Sequence, residues 1–347
     1  MRILIVSNMY PSKEKSFAGI FVKNQYLTLK SLLPKDSFID VFYMERKFTT
    51  KIGSVFKYVK TFFKFFPFLF RRYDIIHLHY FFPLIYLVNL YKIFHKETKV
   101  VVTYHGSDLT KKVNSKNQYQ LKKLASKVDC HISVGKALGD ILVEKLDVQS
   151  DLILPVGVND KVFFYEKTKK VYDFVYVGSF VHRKGVDLII EAVKRMNSSI
   201  SICFIGQGDY LHEIEALVNK YSNVFLYEGL TQQEIQKILV KSKFLLLPTR
   251  NEGFPTSTIE SMYCGVPVLV SDIPQTKEQV FEGENGFIIP VDNSLALLEK
   301  MEFLAKIDVI QYDEMVEKTR TYFREISLTG VCLKLIEIYE GLNSENN

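Results

Sequence analysis

Apolar runs of about three to six residues recur along the whole chain, separated by stretches where apolar positions return every three or four residues. Short runs bounded by Gly, Pro or polar clusters read as strands buried on both faces. The longer stretches read as amphipathic helices. In the first half this pattern predicts strands at residues 3–7, 39–43, 75–79, 100–104, 131–134 and 152–154. In the second half it predicts them at 174–177, 200–205, 224–227, 244–247, 266–270 and 287–289. Strand and helix alternate in both halves, which is the rhythm of a doubly wound parallel sheet and of the α/β class. The join falls in residues 155–170, PVGVNDKVFFYEKTKK, which carry Pro, Gly and charge without periodicity. Two α/β domains are therefore expected, residues 1–160 and 161–324, followed by a last helical pattern at about 325–342.

One stretch concentrates the chemistry: residues 244–272, FLLLPTRNEGFPTSTIESMYCGVPVLVSD. It reads as strand, loop, helix, strand. Gly253 and Pro255 break the loop, Thr256, Ser257 and Thr258 are cap-type residues, and Gly265 can end the helix. Loops at the carboxyl ends of parallel strands are where α/β sheets bind ligands. A helix N-terminus attracts phosphate through its free N–H groups and dipole. Glu252 on the loop and Glu260 on the helix are strong acceptors for sugar hydroxyls. A phosphate seat beside two hydroxyl readers suits a nucleotide sugar.

Composition narrows the partners. The chain has 347 residues, 47% hydrophobic and 24% charged, with a net charge of +6. That mild excess suits anionic substrates or an anionic membrane surface, and no basic cluster is patterned for nucleic acid. The G-x-G-x-x-G fingerprint is absent after the first strand, against a dinucleotide oxidoreductase. Cys130, Cys203, Cys264 and Cys332 are scattered in apolar settings and read as buried thiols of a reducing cytosol. The apolar run at the N-terminus is too short for a signal peptide, and the longest run, around residues 80–88, is too short to span a bilayer. A cytoplasmic chain is expected, with peripheral contact at the inner face of the membrane as an open question. That question turns on residues 55–72, VFKYVKTFFKFFPFLFRR. On a helical wheel Lys57, Lys60, Lys64 and Arg71 form one stripe, and Phe56, Val59, Phe62, Phe63 and Phe66 fill the other side. An interfacial helix has this form, and so does a core helix of its own domain; Pro67 should break it.

The EGFP that begins at Glu252, the Glu260 that follows and the CGVPV that begins at Cys264 resemble the signature of family 4 glycosyltransferases, retaining enzymes of the GT-B fold. The resemblance implies two Rossmann-like domains facing across a cleft, an acceptor-side first domain and a nucleotide-sugar-binding second domain, with the last helix packing back on the first. Residues 18–25, AGIFVKNQ, are similar to the GGIFVKNQ start of many polysaccharide glycosyltransferases, and would bring Gly19 close to a phosphate or acceptor; a plain turn glycine explains it equally. The resemblance places the His105 of TYHGSD beside the sugar at the inter-domain cleft. His77, His79 and His131 read as structural, and Asp108 as a loop organiser or a cap. In DFVYVGSFVHRKGVDLII, residues 173–190, Gly178 ends a strand, and Lys184 with Arg183 would neutralise a leaving diphosphate. The family often has Arg directly after that glycine; here Ser179 takes its place, which leaves the role of Arg183 open. Gly206 of the GQGD turn would line the nucleotide cleft, with Gly253, Phe254, Pro255 and Thr256 at the donor. By the same resemblance Glu260 would take the ribose and Glu252 the donor sugar.

The expectation is a retaining glycosyltransferase that moves a sugar from a nucleoside diphosphate sugar, a co-substrate, to a glycan or lipid-linked acceptor. Its setting would be cell-surface polysaccharide biosynthesis, lipopolysaccharide or capsule. No catalytic base is assigned, and no cofactor or obligatory metal is expected. The loops at 8–19 and 45–56 are expected to set the acceptor. A sugar-nucleotide epimerase of the same fold and a non-catalytic sugar-nucleotide-binding protein are the alternatives. The first would need acid and base residues not identifiable here, and the second has no reason to keep Lys184, Glu252 and Glu260 together.

Overall fold

The computed structural model describes residues 1–11, 19–44 and 59–344. It divides into two compact units, Met1–Gly157 with Leu328–Asn347, and Val158–Ser327. Most of the two loops expected to set the acceptor lies outside the described residues, as do Phe56 and Lys57.

The first unit is built on β1 (Arg2–Ser7), β2 (Phe38–Tyr43), β3 (Ile75–His79), β4 (Lys99–Tyr104), β5 (Cys130–Ser133) and β6 (Leu152–Ile153). They form one parallel sheet in the order β2-β1-β3-β4-β5-β6. The central strands are buried almost from end to end because both faces are covered, so no position alternates to water and even His77 and His79 lie inside. The terminal helix Leu328–Ser344 packs on the same unit: Tyr339 places its hydroxyl 2.5 Å from Nδ1 of His77, and Cys332 lies against helix Ile20–Leu32.

The second unit repeats the plan with β7 (Tyr172–Val177), β8 (Ile202–Ile205), β9 (Val224–Tyr227), β10 (Ser242–Leu247), β11 (Val268–Ser271) and β12 (Gly286–Ile289). The order β12-β11-β10-β7-β8-β9 is again all parallel. Phe174, Tyr176, Phe204, Phe244 and Leu246 point to one face, against helices Val186–Val193 and Ser294–Ala305. Val175, Cys203, Leu245, Leu247 and Val268 point to the other, against helix Thr256–Tyr263. This two-sided burial is why the strands read as unbroken apolar runs. The chain runs outward from β7 through β8 and β9, then returns to lay β10 on the opposite side of β7. The loops after β7 and β10 therefore flank a topological switch point, where open α/β sheets hold ligands.

All four cysteines are buried and free, and burial pushes the thiols of Cys130, Cys203 and Cys332 up to about 12. Among the described residues no helix is long and apolar enough to cross a membrane. The Phe-rich stretch is helical over residues 59–65 and turns into a 3-10 helix, Phe66–Phe70, with Pro67 in its first turn. Phe65 is a core residue, packed on Phe42 and Phe68, whereas Val59, Phe62, Phe63, Phe66 and Phe70 are exposed, Phe63 to 68%. The core reading thus holds for one phenylalanine of this helix and fails for most of its apolar face.

Candidate functional site

The site in the second unit is assembled by the two loops at the switch point. After β7 the chain reaches Gly178, then the single 3-10 turn His182–Lys184, then Gly185, which opens helix Val186–Val193. After β10 it runs from Pro248 through Glu252 to helix Thr256–Tyr263. Gly185 has φ +70°, and a Cβ there would stand 1.8 Å from the Pro248 carbonyl oxygen. Only glycine lets the loops meet this closely. The contact is sealed by the Thr249 hydroxyl, 3.0 Å from the Arg183 carbonyl oxygen and 3.1 Å from Oε1 of Glu252.

Glu252 is the centre of charge. Its side chain is 8% exposed and lies between two cations: Lys184 Nζ on Oε1, and Arg183 Nη1 3.3 Å from Oε2. Arg183 also donates to the Asn251 carbonyl. Burial alone would raise the carboxyl pKa; the charges of Lys184 and Arg183 outweigh it and hold the group below its ordinary value. Glu252 is therefore ionised at neutral pH. The sequence left the role of Arg183 open; the geometry makes it a tether of the Asn251–Glu252 backbone and carboxylate as well as a cation.

Glu260 is differently placed. It sits in the second turn of helix Thr256–Tyr263, half-buried, and no cation is recorded against it among the described residues. Burial pushes its carboxyl up to about 8, so it holds a proton at pH 7. The helix begins at Pro255 with no side-chain cap. Thr258, expected as a cap, turns its hydroxyl back onto the Pro255 carbonyl at 2.6 Å, and onto Gln279. Gly253, Phe254, Pro255 and Thr256 make the turn between the two carboxylates. Gly178 and Gly206 end β7 and β8, and the Gly178 N–H donates to the Ile205 carbonyl at 3.0 Å. The Phe180 N–H bonds Gln207 in the same way at 2.8 Å, so the GQGD turn is fastened to the loop that leads to Arg183.

In the first unit Gly19 opens helix Ile20–Leu32 with φ +74°, and a Cβ there would meet the Met9 backbone at 2.6 Å. The chain's own packing accounts for this glycine. His105 follows β4 in a cage of rings: Tyr80 stacked at 4.5 Å, Phe21 at 5.0 Å and His79 at 5.3 Å between centroids. Tyr80 holds φ +67°, a conformation costing of order 1–3 kcal/mol that clusters at functional sites. Asp108 is buried and ties the loops after β3 and β4, accepting from the backbone N–H of Phe81 at 3.1 Å and of His105 at 3.2 Å. Burial raises its pKa to about 6 against those hydrogen bonds.

His77 and His79 are buried, as the sequence implied, yet His79 has a partner the sequence reading missed. Its Nδ1 lies 3.1 Å from Nε2 of His105, while its own Nε2 is buried with no partner. Burial keeps both rings neutral. A buried N–H without an acceptor costs more than an unpaired lone pair. His79 therefore donates from Nδ1, and His105 carries its proton on Nδ1.

The chain matches the family described as Glycosyl transferases group 1 over residues 157–322, and Glycosyltransferase Family 4 over residues 35–160. An uncharacterized glycosyltransferase of Methanocaldococcus jannaschii is 30% identical over 78% of this chain and 76% of its own length. The O-antigen chain mannosyltransferase C of Escherichia coli is 26% identical over 67% and 66%. An N,N'-diacetylbacillosaminyl-diphospho-undecaprenol alpha-1,3-N-acetylgalactosaminyltransferase of Campylobacter jejuni is 25% identical over 48% and 51%. The solved HepE protein of Anabaena in complex with UDP superposes with a TM-score of 0.74 at 14% identity, over 98% of this chain and all of that one. The fold is GT-B.

Glu260 generates a pH prediction. If Glu260 takes the ribose hydroxyls of a nucleoside diphosphate, binding should expel its proton, because a protonated carboxyl accepts such hydroxyls poorly. Measured by calorimetry with UDP and GDP, the affinity of the one that binds should rise between pH 7 and 8, by up to about tenfold per unit. Glu260→Gln should flatten the rise, and Glu260→Ala should weaken that nucleotide by about 1–3 kcal/mol at pH 8. Affinity that is flat with pH in the wild type contradicts the assignment.

Proposed function

The chain belongs to the group 1 and family 4 glycosyltransferases, and from that membership we propose that it moves a sugar from a nucleoside diphosphate sugar to a glycan or lipid-linked acceptor hydroxyl with retention of configuration. The carrying observation is the Lys184–Glu252–Arg183 charge cluster at the switch point, one short loop from the start of helix Thr256–Tyr263. As the bond from the anomeric carbon to the diphosphate oxygen breaks, its electron pair goes to that oxygen. Lys184, with Arg183 beside it, meets the growing charge, which is electrostatic catalysis. The acceptor hydroxyl attacks from the face the diphosphate leaves, and its proton passes to a leaving phosphate oxygen, so no side-chain base is required. The cations come from side chains, and transfer should proceed in EDTA without added metal.

Glu252 takes hydroxyls of the donor sugar and Glu260 those of the ribose. His105 serves a sugar hydroxyl as a neutral ring. The UDP complex of HepE supports a nucleotide donor, and the undecaprenol-linked acceptor named for the Campylobacter relative supports a lipid-linked one. The O-antigen relative supports a place in cell-surface polysaccharide synthesis, lipopolysaccharide or capsule.

A lipid-linked acceptor keeps the reaction at the bilayer, so we place the chain on the inner face of the cell membrane. The exposed Val59, Phe62, Phe63, Phe66 and Phe70, with Lys60, Lys64 and Arg72 exposed among them, support that placing. Aromatic side chains would enter the interface, and anionic lipid adds about 1 kcal/mol per nearby cation.

Two experiments test this reading. Radiolabelled UDP- and GDP-sugars offered with membrane glycolipid extracts should give donor loss that requires the extract. Conversion without acceptor would make the protein an epimerase, and binding without turnover a non-catalytic receptor. With the working donor, Lys184→Ala should lower kcat by about 100-fold or more while donor KM moves less, because the lysine meets the charge added to the diphosphate as the bond breaks; near-normal turnover would transfer the role to Arg183. In the second, vesicles rich in phosphatidylglycerol should float the wild type and leave a variant carrying Lys60→Glu, Lys64→Glu and Phe63→Ser behind. Equal flotation of the two, or none of the wild type, removes this surface from membrane docking.

A further inference from the structure

A second set of contacts joins the same two loops and takes no part in the chemistry above. Arg250 lies two residues before Glu252, and all three nitrogens of its guanidinium are engaged. Nη1 and Nη2 meet the two carboxylate oxygens of Asp187 at 2.8 and 2.7 Å. Nε donates to Asp292, and Nη1 also to the carbonyl of His182. The Arg250 backbone N–H donates to the Arg183 carbonyl at 2.9 Å. Asp187 stands in the first turn of helix Val186–Val193, and Asp292 in the turn after β12. One side chain, 16% exposed, thus ties its own loop to two others, residues 182–187 and the turn after β12. Burial would raise the Asp187 carboxyl, but the hydrogen bonds and charge of Arg250 outweigh it and hold the group below its ordinary value, so the pair is ionic.

The first of these loops carries Lys184. Arg250 holds His182 and Arg183 on one side of Lys184 and Asp187 on the other, and Gly185 is pressed on Pro248 between them. The backbone that carries Lys184 is therefore fixed before and after the lysine by the loop that carries Glu252. A long, rotatable ammonium side chain is only as well placed as the backbone below it. A displacement of about 1 Å in a charge-stabilising group can cost on the order of 100-fold in rate.

We propose that Arg250 is a positioning residue for sugar transfer: by clamping residues 182–187 through Asp187 and the His182 and Arg183 carbonyls, it sets Lys184 Nζ where the leaving diphosphate is met. The proposal rests on the role given to Lys184 above. Lysine cannot replace Arg250, because an ammonium has neither the planar fork that grips Asp187 nor the extra donor that reaches Asp292.

The test uses the full chain in four forms: wild type, Arg250→Lys, Lys184→Ala and the double variant. Amide exchange in peptides covering 182–187 should quicken about tenfold or more in Arg250→Lys, with β8 and β9 unchanged. On the donor that works for the wild type, Arg250→Lys should lower kcat about tenfold or more and leave donor KM within about threefold. In the Lys184→Ala background the same change should cost less than about twofold, since a positioning residue has nothing left to position. Asp187→Asn, which opens the clamp from the other side, should reproduce the pattern if Arg250→Lys folds poorly. Unchanged exchange, or losses that multiply in full in the double variant, overturns the proposal. If the wild type transfers no sugar from the UDP- and GDP-sugar panel, it is the transferase reading that fails. Exchange alone then decides whether Arg250 positions the lysine, and an unchanged rate overturns that too.

Discussion

A carboxylate that is 8% exposed must be neutralised, and the second unit is arranged around that requirement at Glu252. An unpaired buried charge costs several kcal/mol, and breaking such a pair from one side costs about 3–5 kcal/mol. The two cations that satisfy it, Lys184 and Arg183, come from another loop almost 70 residues earlier in the chain. The loops after β7 and β10 must therefore lie in contact, which the parallel pairing of those strands and the bare Gly185–Pro248 contact allow. Pairing one carboxylate with two cations leaves a positive excess at the site, and the function proposed above offers that excess to a diphosphate. The same two loops are also held together by Arg250, through Asp187 and the His182 carbonyl.

Much of the fold was legible because parallel strands are covered on both sides. Each apolar run predicted as a strand is one, with ends displaced by two residues at most: residues 200–205 became Ile202–Ile205, and 266–270 became Val268–Ser271. Those shifts occur where an apolar residue belongs to the approach to the strand and not to its ladder. The loop with Glu252 was legible as a loop for a related reason: Gly253 and Pro255 interrupt two strong apolar runs, and the chain leaves β10 there for helix Thr256–Tyr263. Pro67 likewise ended its helix as read, since the ring leaves no N–H to continue the ladder.

What stayed hidden depends on contacts between segments far apart in sequence. Arg250 looks like one more loop cation until Asp187, Asp292 and His182 are seen around it. The signal available was an arginine at a strand end facing an aspartate in the first turn of a neighbouring helix, and that pattern is too common to single out. His79 was read as a structural histidine, and it is buried more fully than that reading required. Only the β3–β4 register, with His79 opposite Thr103, reveals that its ring lies against His105, two residues beyond that threonine. The exposure of Phe62, Phe63 and Phe66 was equally out of reach, because a Phe-rich amphipathic helix has the same periodicity whether a core or a bilayer receives it.

The central claim is that Lys184 is shared between Glu252 and the leaving diphosphate. The nucleoside diphosphate of the working donor, UDP or GDP, carries the diphosphate and no sugar, so it isolates the competition from any contact of Glu252 with the donor sugar. Its affinity for Glu252→Gln, measured by calorimetry at pH 8, is the most direct test. The account predicts tighter binding than in the wild type, by about three- to tenfold, because the lysine is freed of its buried counter-charge. Unchanged or weaker binding of that nucleotide would contradict it and remove Lys184 from the diphosphate.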